Sequence, residues 1–453
     1  MFLTTPSAVT FTWCCGIFCV AAALYQRRVY YRKISDHEYV VSLKNGRFIK
    51  LTKVDDLCLG IPGVTLSTVF QPKNQSTTQP HTWIRDRVRA VLAANPWLAG
   101  RLCKTATGNN TPLLLWIPEC GDSEDNFARC FNHIEVDDLD RAVTFPPPCI
   151  AFTAPGQECV NKDVPLWKVT FITHTTSDNC ALVVSMCHTI GDGDTYFTVL
   201  HMLSETGLGV HSLTPDRVHL EDVVQNINVY YPIIRMSRLS LILKIIVMLP
   251  AILWKKPDPI CKSNEIDPLW IENEKQRSAN AGATVSTNDI ITSYIMRTHS
   301  PGVGFMMVNL RTRIPQFRAE LAGNYIGRLA LRPSDYATPA GVRNAHQGTL
   351  LSLQNPSAPK QIFDFKDTLL LTNWAGFFRE MSLPGFRFKH QEISNYYMTG
   401  MTCARAAPFF KKVSILMRQR VGSVSMVLFF QDEKADHGPG GKVDTYTTLH
   451  KQK

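Results

Sequence analysis

The sequence predicts an α/β protein of two similar-sized domains, and three observations carry that prediction. A chain of 453 residues is longer than a single core usually spans. Hydrophobic residues make up 45% of it and charged residues 19%, so each half has the apolar material for a core. Short apolar runs bounded by turn residues alternate with stretches of helical periodicity in both halves, the pattern of layered strands and helices.

In chain order, residues 39–54 read as short strands around the Asn45-Gly46 turn signal. Residues 83–92 place apolar side chains at helical spacing among Arg85, Arg87 and Arg89, and that helix stops ahead of Asn95-Pro96. Residues 113–117 form a short apolar strand, and the prolines at 146–148 mark a loop. Residues 166–173 and 180–187 are two buried strands joined by the polar turn 175–179. The second strand runs straight into His188-Thr189-Ile190-Gly191-Asp192-Gly193, a tight turn. Asp194 or Thr195 then caps a helix with Phe197, Leu200 and Leu203 on one face. A long connection covers about 207–280. A capped helix opens at Ser286-Thr287-Asn288-Asp289, strands follow at 304–310 and 327–331, and a polar loop runs to about Pro359. The last clear strands are 367–374 and 424–430. The expected division is an anchor over 1–33, a first domain over 34–206, a linker over 207–280 and a second domain over 281–453.

The anchor rests on residues 9–25 (VTFTWCCGIFCVAAALY), an apolar stretch long enough to span a bilayer as a helix. No charged side chain precedes Arg27, whereas Arg27, Arg28, Arg32 and Lys33 follow at once. A cleaved signal carries its charge before the apolar stretch, and basic residues after a span hold that side in the cytoplasm. The reading is a single-pass membrane protein with its catalytic domains cytoplasmic; a cleaved targeting segment is the alternative. A second apolar run, residues 239–254, is short for a span, contains Lys244 and is broken by Pro250. It reads either as a buried core helix or as a helix lying in the membrane interface.

Lys and Arg total 48 against 38 Asp and Glu, a formal net charge of +10. Such an excess suits an anionic membrane, a phosphate-bearing ligand or simply a solvated surface. The basic residues form no long tract and no nucleic-acid-binding signature accompanies them, so nucleic acid is not an expected partner. The thirteen cysteines lie in apolar runs (Cys14, Cys15, Cys19, Cys180, Cys187) or singly in loops, without metal-type pairs. They read as small buried hydrophobes in a reducing compartment, and no metal is expected.

Three H-x-x-x-D pairs occur: His133 with Asp137, His174 with Asp178, and His188 with Asp192. Only the third sits where a buried strand ends in a turn through two glycines, Gly191 and Gly193. Such a turn holds an imidazole at a domain edge and leaves room for a substrate, so His188 is the candidate general base.

The His188–Gly193 segment resembles the H-x-x-x-D-G motif of the chloramphenicol acetyltransferase-like superfamily, which includes BAHD acyltransferases, condensation domains and wax ester synthase/diacylglycerol acyltransferases. Further segments agree in the family's order. Residues 95–102 (NPWLAGRL) resemble its "NP-x-LAGRL" segment, and Pro165-Leu166-Trp167 a PLW motif of the wax ester synthase branch. Residues 286–289 resemble "STND". Asn309-Leu310-Arg311-Thr312-Arg313 with Gly323-Asn324-Tyr325 resembles "N-x-R-x-R … GN", and Leu371-Thr372-Asn373-Trp374 the "TSW" strand of BAHD enzymes. Cys187 stands where the wax ester synthase branch has a paired histidine, and the BAHD "DFGWG" segment is missing. The chain thus falls between the two branches.

The resemblance implies two domains of the same fold packed as a pseudo-dimer around a central tunnel. Acyl-CoA would be the donor and co-substrate, no bound cofactor would be needed, and the chain would act as a monomer. His188 would take a proton from a hydroxyl acceptor. Thr372 and Trp374 would stabilise the oxyanion, while Gly193 and Asn373 would line the substrate site. Asp192 would turn away and pair with an arginine, Arg311 first and Arg313 second. The apolar segments favour a lipophilic alcohol as acceptor. Amide formation on an amine, or a non-catalytic lipid-binding relative at the membrane, are the competing readings.

Overall fold

The computed structural model describes residues 39–40, 42–73, 80–104, 111–144, 150, 152–207, 209–219, 260–311, 313–351, 368–393, 412–420, 423–430 and 443–444. The strands in chain order are β1 (Gly46–Lys50), β2 (Val64–Pro72), β3 (Arg101–Cys103), β4 (Leu114–Pro118), β5 (Phe131–Val136), β6 (Trp167–His174), β7 (Cys180–Met186), β8 (Ile260–Ile266), β9 (Val303–Asn309), β10 (Ile326–Leu331), β11 (Thr368–Asn373), β12 (Ser382–Leu383), β13 (Phe386–Ile393), β14 (Lys412–Met417), β15 (Val424–Phe430) and β16 (Val443–Asp444). Helices intervene in both halves, so the fold is mixed α/β.

The strands form two large sheets and one small one. A six-stranded sheet has the order β12-β13-β2-β7-β6-β5, a seven-stranded sheet the order β10-β9-β11-β14-β15-β8-β16, and β1-β4-β3 make the third. Pairing is antiparallel except for β5–β6, β9–β11 and β11–β14. The six-stranded sheet is covered on both faces, which explains the near-continuous apolar runs of β6 and β7. Leu182, Val184 and Met186 of β7 enter the largest core cluster with Trp97, Trp167 and Phe171. Ala181 and Val183 point the other way, onto Val69, Leu139 and Ile172. Burial at about 1.5–3 kcal/mol for each large apolar side chain makes these layers the foundation of the site above them.

Two features tie the halves together. β13 crosses back from the C-terminal half to pair with β2, from Phe386↔Pro72 to Ile393↔Leu66. Its side chains join the same core cluster, together with Trp374, Met381 and Ile415. In addition, the strap 209–219 lies between the sheets. Asn95 holds one side, through His211 O at 2.9 Å and Leu213 N at 2.8 Å. The other side is a parallel bridge of Thr214 with Leu321, with Thr214 N donating to Glu320 O at 2.8 Å.

Several expectations are corrected. Residues 39–54 contain one strand, not several, because Thr52 and Asp55 close a capping box and start the helix Lys53–Leu57. The long connection contains β8 and the helix Pro268–Asn280. The polar loop after Leu331 is instead two helices, Pro333–Tyr336 and Pro339–Leu351; the second buries Val342 and reaches Asp289 through Arg343 at 2.8 Å. The helix after the His188 turn starts at Gly193 with Asp192 as its cap, since Asp192 Oδ1 already accepts from Thr195 N at 3.0 Å. Among the described residues no helix is long and apolar enough to cross a membrane. The expected anchor at 9–25 and the apolar run at 239–254 both lie outside the described residues.

Candidate active site

The site is built on the end of β7. After Met186 the chain leaves the sheet, Cys187 N donates to Leu166 O at 2.8 Å, and Ile190 N closes a turn onto Cys187 O at 3.1 Å. His188 is thereby lifted to the sheet edge, half-buried, and the chain re-enters order at the Gly193–Met202 helix. Burial lowers the His188 pKa below the ordinary histidine value; its own main-chain carbonyl, Asp192, Asn324 and Asp55 pull it back only in part. A histidine so placed is neutral at pH 7, the form that can accept a proton. Its Nδ1 is buried and has no hydrogen-bond partner among the described residues.

Asp192 faces away from such a role. Its carboxylate accepts from Thr195 N, from Tyr325 N at 2.9 Å and from Arg311 Nη1 at 2.8 Å. Burial pushes this carboxyl up, but Arg311 and the two main-chain N–H groups outweigh it and hold the pKa below the usual range. Arg311 is equally committed: Nε donates to Leu321 O at 3.0 Å, and Nη2 to Thr195 Oγ1 at 2.9 Å and Gly323 O at 2.8 Å. The guanidinium also covers the Tyr325 ring, 4.9 Å from its centroid. Both side chains are at least 98% buried, so this ion pair joins the histidine turn to the C-terminal half away from solvent. Of the two arginines singled out in the sequence, Arg311 meets Asp192, whereas Arg313 meets His346 at 3.0 Å.

The end of β11 supplies the opposite wall. Trp374 N donates to Leu416 O at 2.7 Å, and its indole lies against Gly193 and Phe197. A Cβ on Gly193 would stand 3.1 Å from Trp374 Nε1, so glycine is what permits this close approach. The Asn373 amide is occupied within the fold, donating to Asn288 Oδ1 at 2.7 Å and accepting from Ala375 N at 2.9 Å. Thr372, opposite Ile415 on β14, is half-buried. Trp374 thus touches the histidine turn directly, and Thr372 and Asn373 adjoin it through the chain.

The other two H-x-x-x-D histidines serve the fold. The His133 ring packs 4.2 Å from that of His81 and its Nε2 meets Thr173 Oγ1 at 3.0 Å. His174 Nδ1 accepts from Thr176 N and Ser177 N and so closes its hairpin. Among the described residues no group of three or more His, Cys, Asp or Glu side chains is placed to hold a metal ion.

Comparison of the whole chain with solved structures matches this architecture. TRI101 of F. sporotrichioides, complexed with coenzyme A and T-2, superposes with a TM-score of 0.54 at 14% identity, over 85% of this chain and 95% of that one. Vinorine synthase gives 0.55 at 15% identity, over 86% and 91%. The condensation domain of the monacolin K polyketide synthase MokA gives 0.51 at 13%, over 86% and 93%. The chain has the chloramphenicol acetyltransferase-like fold. No family model matches the sequence, and no curated protein does. At these identities the chloramphenicol acetyltransferase-like fold is what the likeness establishes.

Sequence reasoning overlooked a second buried group beneath the same turn. Asp55 and Arg217 form an ion pair at 3.0 Å with both side chains inaccessible to solvent, and the Asn324 amide joins Asp55 at 2.8 Å to the His188 carbonyl, also at 2.8 Å. The Thr52-x-x-Asp55 capping pattern was the one local signal that Asp55 is structured. Apart from the Pro215 carbonyl, the partners of Arg217 lie 27, 105 and 162 residues away, too far for local sequence to announce.

Proposed function

We propose that this chain is an acyltransferase that carries an acyl group from acyl-CoA to a hydroxyl acceptor, with His188 as general base. The observation that carries the reading is a half-buried histidine, kept neutral by burial, at the end of a core strand and locked from behind by the Asp192–Arg311 pair. The fold likeness supports it, since one matched structure holds coenzyme A beside a second small molecule.

In this mechanism the acceptor hydroxyl gives its proton to His188 Nε2 as its oxygen attacks the thioester carbon. The carbonyl becomes an oxyanion, and fixed donors stabilise it best where water is excluded. Thr372 and Trp374 are the candidate donors, with Gly193 letting the indole approach the turn and Asn373 supporting the strand end. Collapse of the tetrahedral intermediate breaks the C–S bond, and the departing CoA sulfur takes the proton back from His188. Asp192, with its lone pairs committed to Arg311, Thr195 and Tyr325, shapes the turn and is not a relay. Donor and acceptor would meet at His188 in a tunnel between two domains of one chain. The apolar stretch at 9–25 would hold the enzyme at a membrane, where a lipophilic alcohol is at hand.

The test is release of free CoA thiol by the full-length protein, offered acyl-CoAs of increasing chain length with alcohol and amine acceptors. The expected result is thiol release matched one to one by an ester. An amide product reassigns the acceptor, and binding of acyl-CoA without turnover of any pair makes the chain a non-catalytic relative.

A further inference from the structure

The histidine turn is held from two sides, and only one of them is the Asp192–Arg311 pair. On the other side, three consecutive main-chain carbonyls are each taken by a buried donor. Asn324 Nδ2 lies 2.8 Å from His188 O and 3.2 Å from Thr189 O, sharing its two hydrogens between these carbonyls and Asp55, and Arg217 Nη2 donates to Ile190 O at 3.0 Å. Asp55 ties these donors together, accepting from Asn324 Nδ2 at 2.8 Å, Asn324 N at 3.2 Å and Arg217 Nε at 3.0 Å. Thr52, the cap of the Lys53–Leu57 helix, adds its N–H and hydroxyl to the same carboxylate, each at 2.9 Å.

Each member comes from a different part of the chain. Asp55 belongs to a short helix ahead of β2, Arg217 to the strap, and Asn324 to the connection between β9 and β10. The local structure is adapted to receive them. Gly323 adopts φ +134°, and a Cβ there would stand 2.7 Å from Arg217 Cζ, so the arginine needs a glycine beside it. Three buried side-chain atoms at this turn, Asn324 Oδ1, His188 Nδ1 and Thr189 Oγ1, have no hydrogen-bond partner among the described residues.

From this geometry we infer that Asp55, Arg217 and Asn324 are positioning residues for His188: they pin the main-chain carbonyls of its turn and so fix where its imidazole stands. A base must be held within a few tenths of an ångström of its working geometry, and a turn with three tethered carbonyls provides that. Asp192 and Asp55, each paired with its arginine, are the charges that act on the ring. The inference rests on the acyltransferase reading, and its test separates the two.

The experiment compares Asn324→Ala, and the charge-free double variant Asp55→Asn/Arg217→Gln, with the wild type. The double variant leaves no buried charge without its partner. In folded Asn324→Ala, kcat should fall at least about tenfold while KM for acyl-CoA stays within about threefold, since the donor's binding groups are untouched. If Asn324→Ala does not fold, the double variant decides on the same numbers. Turnover within about threefold of wild type in the folded variant overturns the assignment. If the wild type itself turns over no donor, the acyltransferase reading falls. The clamp is then judged by the His188 midpoint in an NMR titration, which should move down in Asn324→Ala; an unmoved midpoint overturns it.

Discussion

At the scale of single residues, the turn at 188–192 shows how a charged pair can serve chemistry without taking part in it. Asp192 does three things at once: one oxygen caps the Gly193–Met202 helix, while the other meets Arg311 and the Tyr325 N–H. Asp192→Asn keeps the helix cap, because asparagine caps as well as aspartate. It leaves Arg311, 3% exposed, with Asp194, 3.5 Å from its Nε, as its remaining counter-ion. Removing one partner of a buried pair costs about 3–5 kcal/mol when the other charge is left alone, so with Asp194 still in reach urea unfolding should show a loss toward the lower end of that range. The double variant Asp192→Asn/Arg311→Met should lose less than the two single losses added together. The sign with pH also follows. The folded carboxyl titrates below the unfolded one, so its stabilisation is full above about pH 4 and disappears as pH falls through the depressed value. The motif was legible here because four residues of local spacing place His188 and Asp192 on one turn. Arg311 was legible only through family likeness, since its contact spans 119 residues.

At the scale of elements, local patterning exposed the strands and hid their partners. The β6–β7 hairpin could be read directly, because buried strands of seven or eight residues flank a polar turn. β13 is written FRFKHQEI, alternating but heavily charged, and no local signal says that it crosses to β2. The Pro339–Leu351 helix went unread because Pro339, Gly341 and Gly348 break up its sequence, while Val342 and Ala345 packed into the second core and the Arg343–Asp289 ion pair hold it in place. The Gly193–Met202 helix supplies a prediction of its own. His201, in its last turn, has its pKa lowered to about 4 by burial and then by the charge of Arg379. As pH falls through about 6.5 the unfolded histidine takes up a proton that the folded one refuses. Stability should therefore decline between about pH 6.5 and 4 and the penalty should level off below. In thermal melts His201→Leu should lose that part of the slope, on the order of 3 kcal/mol over the window.

At the scale of the whole molecule, two sheets are joined over one turn. The six-stranded sheet presents His188, the connection from β9 to β10 brings Arg311 and Asn324, β11 brings Trp374, and the strap brings Arg217. No single segment contains the site, which is why composition and periodicity could reach the fold class and one histidine but not the assembly around it. The pseudo-dimer, the tunnel and the membrane attachment belong to the functional proposal, which stands or falls with the histidine. The decisive measurement is the rate of CoA thiol release by His188→Ala beside the wild type, on whichever donor and acceptor the panel selects. The account predicts a loss of at least about a hundredfold with the variant still folded and still binding acyl-CoA. A folded variant that keeps the wild-type rate would make His188 a structural residue and contradict the mechanism at its centre.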